Sequence, residues 1–168
     1  MRIRRNYHQG AKTPNNLAKH SSGKVTLLQS LRIGQRASRR KHITKRDVEL
    51  FTELTGDHQP LHYDEDLAAR LGYPAPIVQG GVITGIFNAI VAHDLPGPGS
   101  VFLNVNWNFR HAVCIGDEIT GEVEVLSVRE DKPIVRLATR VTNQHGILCL
   151  DGEAVVYRRA IDKLEGQA

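Results

Sequence analysis

The chain has 168 residues, 40% hydrophobic and 24% charged, proportions that suit one soluble domain with a core large enough to fold without disulfide staples. Its formal net charge of +4 joins two opposite parts: residues 1–46 hold 13 Lys and Arg with no Asp or Glu, and residues 47–168 hold 9 basic against 18 acidic residues. Cys114 and Cys149 lie in apolar alternating segments with no CxxC partner, which argues against a disulfide framework and points to buried thiols in a reducing compartment.

In chain order, residues 1–30 read as a basic flexible arm, residues 31–160 as the folded domain and residues 161–168 as a tail. The arm is rich in Asn, His, Ser and Gly and shows no helical or strand period. A nucleic-acid tail, an organelle presequence and a clamp for a phosphorylated ligand compete with a plain mobile arm. Base stacking would want interleaved aromatics, and only Tyr7 is present, so nucleic acid is not an expected partner. No apolar signal-peptide core is visible. The longest apolar run, Ile83 to Ala92, is about half of what a bilayer-spanning helix needs, so no membrane association is expected. A cytoplasmic location follows, with a mitochondrial one as the alternative if the arm is a presequence.

Leu31 to Ile43 leads into a short strand, and its Arg36–Lys41 stretch forms a basic edge suited to phosphates or to an acidic carrier protein. Thr44-Lys45-Arg46-Asp47 has the form of a capping box and opens a helix with Val48, Phe51, Leu50 and Leu54 as candidate inward residues, closed by Gly56. A second helix starts at Tyr63–Asp66, whose acids suit its N-terminus, and ends near Gly72. The extended segment Tyr73–Gly81 then feeds a helix through Val82 to Ala92 that is apolar nearly all round and is therefore expected to be buried. After Leu95–Gly99 the period changes. Val101–Phe109, Glu118–Arg129, Ile134–Thr142 and Ile147–Arg158 alternate as strands, separated by turn residues. Helices followed by antiparallel strands give an α+β class, with a curled sheet around the apolar helix as the simplest arrangement.

Between the first two helices lies Gly56-Asp57-His58-Gln59-Pro60-Leu61-His62. His58 and His62 have the spacing of two metal ligands on a helix, but Pro60 prevents a continuous helix through them, and no further ligands stand at supporting spacing. A polar turn remains open as a reading. So does an acid–base pair facing the free amides of the Gly80-Gly81 helix start, which could steady charge on a carbonyl oxygen.

Asp57-His58-Gln59-Pro60-Leu61-His62 resembles the D-x-N-P-x-H signature of the MaoC-like hydratases, specifically the single-domain (R)-specific enoyl-CoA hydratases. The resemblance continues through Pro76-Ile77-Val78-Gln79-Gly80, Leu95–Ser100, Ile115–Glu118, Arg129–Ile134 and Gly152–Val156, in order and spacing, and covers about residues 32–158. It implies a hot-dog fold, an antiparallel sheet wrapped around a long central helix, and a homodimer or higher homo-oligomer acting on acyl-CoA or acyl-ACP. It also implies a reaction that needs no metal, flavin or nicotinamide, the CoA or acyl-carrier-protein thioester being the substrate. Asp57 and His62 would be the catalytic pair holding a water, and the Gly80 N–H would face the thioester oxygen. Gln59, Gln79 and Asn88 are the further substrate-binding candidates. Two of these depart from the family pattern: Gln59 stands for its Asn, and Gln79 for its usual His, which removes a titratable group. A thioesterase attacking the carbonyl carbon, and a catalytically silent acyl-thioester-binding subunit, are the alternatives.

Overall fold

The computed structural model describes residues 30–159; the basic arm and the tail expected from the sequence lie outside the described residues. The element order is β1 (Arg36–His42), α1 (Lys45–Thr55), a single 3-10 turn (Pro60–His62), α2 (Glu65–Arg70), α3 (Gly80–His93), β2 (Ser100–Phe109), β3 (Glu118–Val128), β4 (Ile134–Asn143) and β5 (Leu148–Arg158). The strands form one antiparallel sheet in the order β1-β3-β4-β5-β2. This sheet curls around α3, which packs against β1, β2 and β3, as the α+β hot-dog expectation requires.

The core is the meeting of two periods. On α3, Val82, Ile83, Ile86, Phe87, Ile90 and Val91 are buried. Alternate strand residues meet them, among them Val123, Val125, Val135, Leu137 and Val156. Each such side chain contributes roughly 1.5–3 kcal/mol on burial. The helix is not buried all round, however: Gly85, Asn88 and His93 are exposed. Its exposed positions are those the sheet does not reach, and they are Gly, Asn and His rather than large apolar residues.

α1 starts as the sequence predicts. Thr44 Oγ1 accepts from Asp47 N–H at 3.3 Å, and Asp47 Oδ2 accepts from Thr44 N–H at 2.8 Å. Burial works against ionisation of Asp47, but hydrogen bonds from Lys41 and Thr44 outweigh it and hold its carboxyl below the ordinary range. Gly56 closes the helix in the left-handed conformation, φ 77°. Thr44→Ala is expected to lower stability by about 1 kcal/mol in urea unfolding, the usual worth of a lost N-cap.

The inward face of α1 differs from expectation. Val48 is fully buried and Phe51 packs on the core, but Leu50 is 48% and Leu54 81% exposed. The helical period explains this, since Leu50 and Leu54 lie about 200–240° around the axis from Val48, on the far side. The buried stripe is completed by Thr52 instead, at 5% exposure.

Between Phe102 and Asn104 the register of β2 against β5 shifts, leaving Leu103 as an extra residue. Beyond that bulge the alternation is inverted: Trp107 turns inward onto Phe87, with ring centroids 5.5 Å apart, and also meets Phe102 edge-on. The two sheet edges differ in character. The basic edge, β1, carries four cations that each have an acidic neighbour: Arg36 with Glu124 at 2.7 Å, Arg39 with Asp94 at 2.5 Å, Arg40 with Glu118 at 3.9 Å and Lys41 with Asp47 at 2.8 Å. β2 leaves Val101, Leu103, Val105 and Phe109 41–60% exposed.

Candidate active site

Two short pieces of backbone build the site. The first is the turn between α1 and α2. Asp57 Oδ1 accepts from Gln59 N–H at 3.2 Å, and Gln59 Oε1 accepts from Leu61 N–H at 2.9 Å, capping the 3-10 turn that Pro60 begins. Gln59 thus spends its side chain on its own turn. That turn carries His62 inward, to 7% exposure, while His58 stays exposed. The metal spacing read from the sequence is accordingly not realised, and among the described residues no group of three or more His, Cys, Asp or Glu is placed to hold a metal ion.

The second piece is the extended segment before α3. The Ile77 carbonyl oxygen lies 2.7 Å from His62 Nδ1. A carbonyl can only accept, so Nδ1 carries the proton and, in the neutral imidazole, Nε2 presents its lone pair. Nε2 lies 3.6 Å from Asp57 Oδ2. That is too long for a direct hydrogen bond and close enough for one water to donate to both. The Asp57 side chain is 41% exposed and has room to adjust. Two acceptors are therefore aimed at one spot, and a water held there turns its own lone pairs outward.

His62 and Gly80 line one cavity of about 420 Å³ together with Ile77, Phe109, Arg110 and His111. Gly80 is the first residue of α3, and its N–H belongs to the turn that has no intrahelical acceptor. The residue before it, Gln79, makes no side-chain cap to the helix. Helix dipole and free amides together favour negative charge at this end. Close packing requires Gly81, where a Cβ would lie 2.1 Å from Cζ of the core-packed Phe51; a Cβ on Gly80 would lie 2.9 Å from Cζ of Phe109, whose exposed ring can move aside.

Over residues 29–145 the chain matches the family model described as MaoC like domain. The chain belongs to the MaoC-like family. It is 43% identical over 128 residues to the (R)-specific enoyl-CoA hydratase of Aeromonas caviae, covering 76% of this chain and 96% of that one. It is 35% identical over 133 residues to the 3-hydroxybutyryl-CoA dehydratase of Methylorubrum extorquens, covering 79% of this chain and 84% of the relative. A solved structure of the A. caviae (R)-hydratase superposes with a TM-score of 0.75 at 42% identity, covering 78% of this chain and 99% of that chain.

Of the residues singled out from the sequence, the MaoC-like fold brings Asp57, His62 and Gly80 to one place. Gln79 lies directly behind them, 3% exposed, with its Nε2 donating to Thr52 Oγ1 at 2.9 Å. Asn88 is on the exposed face of α3, eight residues or about 12 Å along the axis from Gly80, and does not line the cavity. Sequence reading missed Thr52, Tyr63 and Phe109. Thr52 had a signal, being a hydroxyl in the buried register of α1 four residues after Val48. Tyr63 and Phe109 had none, because they reach the site only through the chain reversal of the turn and the bulge in β2.

The two thiols stand apart from this chemistry. Both are free and buried, and burial, aided by the nearby Asp117 charge, pushes each above the ordinary thiol range. Both effects favour the protonated thiol over the nucleophilic thiolate.

Proposed function

We propose that this MaoC-like chain hydrates trans-2-enoyl thioesters of CoA or an acyl-carrier protein to (R)-3-hydroxyacyl thioesters, and dehydrates them in reverse. The observation that carries the reading is the pairing of the Asp57 carboxylate with the lone-pair nitrogen of His62, 3.6 Å apart, beside a cavity that also contains the open start of α3. A water held by both acceptors adds its oxygen to C3 of the alkene. The electron pair of the double bond moves through C2 to the thioester oxygen, where the Gly80 N–H stabilises the enolate. The water's proton passes to Asp57, acting as base, and through His62 reaches C2. One O–H ends on C3 and one H on C2. No hydride or electron is exchanged, so the step requires neither a nicotinamide nor a flavin.

The names of the two relatives cover both directions of the reaction, which microscopic reversibility allows from one site. The test is a single sample of crotonyl-CoA with two readouts. Loss of enoyl-thioester absorbance without release of free thiol, with (R)-3-hydroxybutyryl-CoA as the product on chiral analysis, supports hydration. Release of free CoA as the main product would assign the site to a thioesterase.

We further propose that the working form is a homodimer joined along β2. Ten residues long and paired on one side by β5, this edge shows exposed Val101, Leu103 and Val105, whereas β1 is blunted by charge. Leu103→Lys combined with Val105→Lys is expected to halve the mass measured by light scattering. A reducing compartment such as the cytoplasm fits the two free thiols. Among the described residues, no helix is long and apolar enough to cross a membrane.

A further inference from the structure

The hydroxyl of Thr52 bonds to Asp57 and to the chain neighbours of His62 and Gly80 without lining the cavity. Its O–H donates to the Asp57 carbonyl at 2.8 Å, and its oxygen accepts from the Tyr63 hydroxyl and, at 2.9 Å, from the Gln79 Nε2–H. A hydroxyl has one proton and two lone pairs, and here all three are used. Because the Asp57 carbonyl can only accept, the Thr52 proton is committed to it. Thr52 can then only accept from Gln79, which fixes the amide with its nitrogen toward Thr52.

The three partners are the catalytic carboxylate's own residue, the residue after His62 and the residue before Gly80. The hydroxyl of Thr52, a residue only 5% exposed, thereby ties together the segments that carry the base, the imidazole and the helix start. Gln79 has the position from which an N-cap side chain would fold back on its own helix, yet it makes no such bond and reaches across to Thr52. The first amides of α3 stay open as a result.

We infer that Thr52 is a positioning residue: through Asp57, Tyr63 and Gln79 its hydroxyl sets the spacing between the water-holding pair and the Gly80 amide. The inference rests on the hydratase reading above. It also accounts for Gln79, where the family pattern has a His: a neutral amide with a fixed donor holds the joint in one state regardless of pH.

The test compares Thr52→Val, which keeps the shape and removes the hydroxyl, with Thr52→Ser, which keeps the hydroxyl. Thr52→Val is expected to lower kcat for crotonyl-CoA hydration by about 10- to 100-fold, the usual cost of a misplacement near 1 Å, with KM nearly unchanged. Thr52→Ser is expected to recover most of that loss. Tyr63→Phe, at a partly exposed position, should produce a smaller loss of the same kind and covers the case in which Thr52→Val does not fold. In an Asp57→Asn background, Thr52→Val should add little, because the two act on the same step. The amide NMR signals of Gln59, His62 and Gly80 should move in Thr52→Val and return in Thr52→Ser. A Thr52→Val protein with parental kcat, or with those three signals unmoved, overturns the inference. An inactive parent would instead overturn the hydratase reading, and the NMR comparison would still decide whether Thr52 holds the three segments together.

Discussion

Asp57→Asn is expected to lower kcat for crotonyl-CoA hydration by about 10³-fold, within the 10²- to 10⁴-fold range for loss of a general base, while KM and thermal stability stay near parental values. The substitution is almost isosteric, and an Asn carbonyl can still accept from the Gln59 amide, so the turn keeps its shape. What changes is the atom facing His62. Oδ2 stands 3.6 Å from an imidazole nitrogen that the Ile77 carbonyl forces to be an acceptor. An amide NH₂ in that place donates where the carboxylate accepted, and a water between the two is turned around and has no base. His62→Gln is expected to fall in the same range for the complementary reason. Gln can donate to Ile77 and its carbonyl oxygen can still accept, but an amide cannot take up and return a proton as Nε2 does. Retained hydration in both variants would remove the acid–base mechanism, and retained thioester binding without any hydration in the parent would make the chain a silent binding subunit.

The sequence carried much of this because its signals are local. The capping box at Thr44–Asp47, the Gly56 stop and the four alternating runs are decided within a few residues, and the structure reproduces each within one or two positions. That Asp57 and His62 share one turn was legible for the same reason, since Pro60 prevents a continuous helix, whereas their proposed pairing came from the resemblance to the family signature. Less was legible wherever a side chain's role depends on a distant partner. Gln59 and Gln79 stood out only as departures from a family pattern. Their roles became visible once Gln59 was seen to cap Leu61 and Gln79 to meet Thr52, 27 residues away in the chain. The outward-facing Leu50 and Leu54 show the converse: apolar character alone does not give direction, whereas the helical period anchored on Val48 does.

Gly80→Pro is expected to lower kcat by about 10²- to 10³-fold, the range seen when one oxyanion donor is removed. Proline deletes the one backbone N–H assigned to the thioester oxygen, and the local conformation is ready to accept it. Gly80 is the first helical residue of α3, where proline is tolerated because its amide has no acceptor in the helix. Gln79 already has φ −62° and ψ 144°, the extended conformation that proline demands of the residue before it. The helix and its buried face should therefore persist. A side chain here also meets Phe109, whose ring lies 2.9 Å from the position of a Cβ, so Gly80→Ala is the control for that contact. Alanine keeps the N–H and presses on the same ring, and its loss should be far smaller than that of proline. Equal losses in the two variants would mean that the Phe109 contact, and not the amide, limits the reaction. Parental activity in the proline variant would move the oxyanion donor to another amide, with Gly81, next in the open first turn, as the first to examine.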